Sequence, residues 1–193
     1  MNNCLKSLIN ANQGILRQKI ALLDLLEAKY GAQTFTKICP IVKATIGQHY
    51  RHSTDHMELP ILMVQNGIQN GEIHYDLRVR GGTLEKDIGE ARKRLISIQE
   101  ILHEMDVHET QNENYPNLMG NEKVDTFFML SGNSNFESKL QSTLGRELGF
   151  AAHHAIHHMV LVKIIAVQTL GVKETDIPED FGMAPSTVNF YNP

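Results

Sequence analysis

The sequence predicts an all-α fold, a four-helix bundle with a small β-hairpin insert before its last helix. Three observations carry that prediction. Four long stretches repeat apolar residues in steps of three and four, the signature of one-faced helices. Each stripe is one-sided, so each helix needs a partner to cover it. Strand-type residues with turn chemistry between them are concentrated in one stretch, ahead of the fourth helix. At 193 residues and 41% hydrophobic, the chain is long enough for one domain, residues 1–193, with a sizeable core.

Helix one, about residues 3–30, repeats Leu5, Leu8, Ile9, Ile15, Ile20, Leu23 and Leu26 among polar residues. Helix two, about 45–69, contains Pro60, which removes one backbone donor and predicts a kink. A connection over residues 70–83 holds Gly71, Gly81 and Gly82, and its Ile73 to Arg80 reads equally as extended chain or a short turn. Helix three, about 84–106, has the clearest seam: Leu84, Ile88, Ala91, Leu95, Ile98, Leu102 and Met105 alternate four and three steps without a break. After the polar stretch His108 to Glu122 comes the hairpin, about 123–141. Val124 to Leu130 and Phe136 to Gln141 flank Ser131-Gly132-Asn133-Ser134-Asn135. Helix four, about 143–170, opens on Ser142 or Thr143, either a good N-cap, and stops at Gly171. The tail, 173–193, carries three prolines and is expected to wrap the surface.

A net charge of −4 without a run of Lys and Arg argues against a nucleic-acid or anionic-membrane partner. Cys4 and Cys39 are too few for a disulfide framework and lack Cys-x-x-Cys spacing, so a reducing, cytoplasmic compartment is expected. The N-terminus has no signal-peptide pattern, and no segment is expected to reach the roughly 18 apolar residues of a membrane span.

Residues 153 to 158 read His153-His154-Ala155-Ile156-His157-His158, four of the ten histidines within two helical turns. Residues four apart stack on one helix face, so a His-x-x-x-His pair can turn two nitrogens toward one cation. With His154 as zero, Leu148, Ala151, Ala155, Met159, Val162 and Ala166 fall between roughly 60° and 140° at about 100° per residue. His158 falls beside that core stripe at about 40°, and Glu147 at about 20°. His153 and His157 point away, at about −100° and −60°, and read as surface residues. On helix two, His49, His52 and His56 lie within about 60° of one another. If helices two and four are neighbours, one of the three supplies a third ligand, leaving an open position for chemistry, and the other two are solvent-facing or support the ligands. Periodicity alone does not choose among them. Glu100-Ile101-Leu102-His103 is the Glu-x-x-His motif of di-iron bundles, but it lies about 100° off the seam and has no second copy.

Ile46-Gly47-Gln48-His49-Tyr50-Arg51-His52-Ser53-Thr54-Asp55-His56, Leu144-Gly145-Arg146-Glu147-Leu148, and His154 with His158 together resemble the DinB-like, or YfiT-like, metalloenzymes from helix two through helix four. The resemblance implies helices in up-down-down-up order. It also implies a zinc or nickel ion on His52, His154 and His158, with His49 in reserve. Relatives include enzymes that use low-molecular-weight thiols, and such bundles often form homodimers. The chain departs from the common pattern at Met159, where an Arg often follows the last histidine, and in its hairpin and its Phe181 to Thr187 tail.

The expected function is therefore a metal-dependent enzyme acting on a small-molecule substrate, a thiol S-transferase or a hydrolase. Three neutral imidazoles leave a cation able to acidify a water or a thiol. Ser142, Arg146, Glu147 and Tyr75 are the expected pocket residues. The rivals are a non-catalytic metal-binding or interaction bundle, and a helical dimer that pairs its apolar seams.

Overall fold

The structure, a computed structural model, describes residues 3–66, 71–77, 80–107, 118–133 and 136–191. It is mostly helical, with a small mixed sheet. Helix α1 (Asn3–Leu25) buries Leu5, Ile9, Leu16, Leu22 and Leu23, runs on as a π turn over Leu26–Tyr30, and ends at Gly31, whose φ of 89° a side chain would resist. Two core positions that an apolar stripe would not mark are polar, Asn12 and Lys19. Asn12 Nδ2 donates to the carbonyls of Leu8 and Leu148, tying α1 to the last long helix.

Helix α2 (Ile46–Gln65) starts on a capping box: Thr45 Oγ1 accepts from Gln48 N, and Gln48 Oε1 accepts from Thr45 N. Pro60 sits inside α2 and is buried; the predicted extension over residues 67–69 lies outside the described residues. Helix α3 (Ile88–Val107) begins later than the seam predicts. Leu84 belongs to a separate 3-10 turn, Thr83–Glu85, because the Asp87 carboxylate accepts from the N–H groups of Gly89 and Glu90 and so caps a new helix there. The rest of the seam is buried as the periodicity demands, Ile88, Ala91, Leu95, Ile98, Leu102 and Met105. Helix α4 (Leu144–Ile164) starts at Thr143, whose hydroxyl accepts from Arg146 N, and continues as a π turn over Ile165–Thr169.

Helix α4 packs against α1 and α2, and α3 packs against the same two. α2 and α4 run antiparallel, since His49 meets His158 while His56 meets Phe150. α2 and α3 run parallel: Arg51 pairs with Glu85 just before α3, and Arg94, nearly two turns into α3, pairs with Asp55 and Glu58 further along α2. The start of α3 meets the end of α1 through Arg92, paired with Asp24 and Glu27.

The hairpin forms where turn chemistry places it: β2 (Lys123–Phe128) pairs antiparallel with β3 (Ser138–Thr143), with Val124 opposite Ser142 and Phe128 opposite Ser138. The sequence expectation of a hairpin alone is incomplete. The stretch left open as extended or turned supplies β1 (Glu72–His74), which adds parallel to β2 in the order β1-β2-β3. Part of the polar linker, residues 108–117, lies outside the described residues.

The tail does more than wrap the surface. It carries a short helix, α5 (Pro185–Tyr191), and buries Ile177 and Phe181. At Gly182, with φ of 75°, a Cβ would stand 3.0 Å from Val160 N, so only glycine lets the tail lie this close to the α4 backbone. A second correction concerns apolar length. Leu144–Thr169 is long and apolar enough by composition to cross a membrane, yet here it packs on α1 and α2 and carries a buried carboxylate, Glu147.

Candidate metal centre

The centre lies between α2 and α4. Helical spacing puts His49, His52 and His56 on the face of α2 turned to α4, and His154 and His158 on the stripe of α4 that meets it. Their rings meet. His154 Nε2 lies 3.1 Å from His52 Nε2. The ring of His56 is 4.1 Å from that of His154 and 4.7 Å from that of His52. One nitrogen from each of His52, His56 and His154 falls within a sphere where all lie within 4.8 Å of one another.

His158 stands against the same group, its ring 4.6 Å from both His52 and His154. Its Nδ1 faces His49 Nδ1 at 2.8 Å, one of the two donating to the other according to tautomer. Burial first, then the neighbouring His154, His52, His49 and His157, pushes the pKa of His158 down to about 2. Burial, with His157 second, lowers His49 as well. Both rings are therefore neutral near pH 7, the state in which an imidazole offers a lone pair.

These donors fit a divalent cation. Two nitrogens bound at about 2.0–2.1 Å in a tetrahedral shell stand roughly 3.3 Å apart. The His52–His154 separation of 3.1 Å is close to that spacing. An all-imidazole set suits zinc or nickel and not calcium or magnesium, which take oxygen ligands.

A buried polar cluster adjoins the histidines. Glu147 has no solvent exposure, and three donors hold its carboxylate. Tyr75 O–H reaches Oε2 at 2.7 Å, while Ser142 Oγ at 2.5 Å and Arg146 Nη1 at 2.8 Å reach Oε1. The Tyr75 ring stacks on His56 at 4.8 Å, and burial followed by the Glu147 hydrogen bond keeps its phenol protonated far above the usual range. Phe150 closes the group, 5.6 Å from both Tyr75 and His154, with the Arg146 guanidinium 4.9 Å above its ring.

Of the residues named from sequence, the structure brings His52 and His154 together and sets His158 beside them. It also gathers Tyr75, Ser142, Arg146 and Glu147 into one network. His56, one of the three candidates on α2, joins His52 and His154 as a donor. His49 and His56 are both buried, so of the two expectations for the spare histidines of α2, facing solvent or supporting the ligands, the first is corrected. His153 and His157 are exposed, as their angles require, and so are Glu100 and His103. Phe150 was not among the residues named from sequence, although it lies four residues before His154, a spacing that puts both on one face.

No family model matches the chain, and no solved structure matches it. Over 122 residues, 60% of the chain, it is 33% identical to FK506-binding protein 5 of Rhizopus delemar. The matched region spans 26% of that protein's length.

Proposed function

We propose that the four long helices form a DinB-like bundle in up-down-down-up order, and that the protein is a metal-dependent enzyme joining a small-molecule substrate to a low-molecular-weight thiol, or hydrolysing it. The helix directions support the bundle: α2 antiparallel to α4, parallel to α3, and the start of α3 at the end of α1. The observation that carries the enzyme reading is the convergence of His52, His56 and His154 beside the Tyr75–Glu147 network. His52 and His154 are the first two ligands, and His56 and His158 are the candidates for the third. A divalent cation held there supplies Lewis acidity, which lowers the pKa of a thiol or water that joins it. Glu147 fixes the Tyr75 hydroxyl and the Arg146 guanidinium, and Phe150 shields the histidines on one side.

The test compares protein loaded with zinc or nickel, metal-stripped protein and His154→Ala, each supplied with a small electrophile and several thiols, while thiol loss is followed. Conjugation by the loaded wild type alone is the expected outcome. Equal rates in all three refute the transferase, and hydrolysis of the same electrophile without thiol selects the hydrolase.

A second reading has its own observation. The His158 ring stands 4.6 Å, centre to centre, from both His52 and His154, and a fourth imidazole turned onto the same cation would make a closed, structural site. His158→Ala separates the two. In an enzyme with His56 as third ligand it retains metal and turnover; in a closed site it opens the shell and weakens metal binding.

A further inference from the structure

The inner face of the small sheet is not fully covered. The antiparallel register aligns Val124, Thr126 and Phe128 of β2 with Ser142, Leu140 and Ser138 of β3 on one face, where side chains alternate with period two. At its β1 side this face is sealed by Ile73, which is buried; at the β3 side Leu140 remains 48% exposed. Between sheet and α4 lies a groove of about 850 Å³, the size of a small-molecule site. Its apolar wall is Val124, Phe128 and Leu140, and its cations are Lys123 and Arg146.

Three observations give the groove a charge preference. Among the described residues Lys123 makes no ion pair, and the one acid that lines the groove, Asp125, is taken by Lys139 at 2.7 Å. Arg146 spends one nitrogen on Glu147, and its side chain is 57% exposed. The groove also runs to Thr143, at the N-terminal end of α4, where the helix dipole favours an anion. The groove backs directly onto the histidines: Phe128 stacks on Tyr75 at 4.8 Å and meets Phe150 at 6.1 Å, and those two rings touch His56 and His154.

We propose that this groove is the binding site for a small molecule with an apolar body and one carboxylate or sulfonate group, the anion held by Arg146 and Lys123 and the body against Phe128 and Leu140. That it serves the metal centre rests on the enzyme reading above; that it binds such a molecule does not. The site differs from a surface basic patch because its cations flank an apolar wall, so both parts of the ligand matter.

The test uses two fluorescent probes with the same apolar body, 8-anilinonaphthalene-1-sulfonate and the uncharged N-phenyl-1-naphthylamine, titrated into the folded full chain. The sulfonate is expected to bind at one saturable site, more tightly than the neutral probe. Arg146→Gln should weaken the sulfonate about tenfold, the loss of a charged hydrogen bond, and leave the neutral probe unchanged. Lys123→Gln, at an exposed strand end where folding is not at risk, should weaken the sulfonate alone, by roughly threefold. Leu140→Ser should weaken both probes. Equal affinity for the two probes, or sulfonate binding that neither cation variant changes, overturns the proposal. His154→Ala keeps the groove intact, so undiminished sulfonate binding in that variant supports the groove even where the metal reading fails.

Discussion

Lys19 shows most plainly what a single side chain costs this fold. It is 1% exposed in the middle of α1, and its ammonium donates to Ser53 Oγ at 2.9 Å and Thr54 Oγ1 at 2.7 Å. Burial, only partly offset by the nearby Asp55, lowers its pKa from 10.5 to about 7. Between those values the unfolded chain holds a proton that the native state lacks, so stability rises as pH goes from 7 to 10.5, and the penalty is complete below 7. Urea unfolding across that range should show wild type gaining a few kcal/mol relative to Lys19→Met. Parallel stability curves for the two proteins would mean that Lys19 is not desolvated as described. Tyr75 offers a second residue-scale prediction. Removing its hydroxyl strips Glu147 of one of three donors, and Tyr75→Phe should cost about 1–3 kcal/mol in the same assay, a hydrogen bond to a buried charge.

Among elements, α2 is packed closely at its start. Gly47 lies so close to the Thr83–Glu85 turn that a Cβ would stand 2.2 Å from the Glu85 carbonyl oxygen and 2.8 Å from the Phe35 ring. Gly47→Ala must push α2 away from that turn, and a loss of about 1–3 kcal/mol in chemical unfolding is expected, although alanine is the better helix former. A neutral or stabilising effect would show that the turn yields easily. What was legible at this scale follows from period. α3 shows a continuous seam from Ile88 to Met105, and the Ser131 to Asn135 turn cluster marks the hairpin. β1 was not legible, because three residues show no period and a parallel partner some fifty residues away leaves no local trace. Lys19 and Asn12 were hidden for a related reason: they occupy core positions of α1 with polar groups whose partners lie on other helices. The fusion of helix three with Leu84 failed because the spacing continued while Asp87 capped the chain afresh.

In the molecule as a whole, the histidines of α2 and α4 meet because the two helices run antiparallel in contact, and the sheet then lays Tyr75 and Phe128 over the same end. His154 was readable from helical angle and His52 only from the resemblance, with His56 in the same stripe of α2; which of that stripe approaches His154 depends on the crossing of α2 and α4, which no stripe encodes. The proposed metal centre requires a cation shared between those helices. Equilibrium dialysis against zinc, read by elemental analysis, tests it directly in wild type, His52→Ala and His154→Ala, with folding checked by circular dichroism. One equivalent per chain in wild type, and loss of it in both folded variants, is the predicted result. No bound zinc in wild type, or the same stoichiometry in all three, would contradict it.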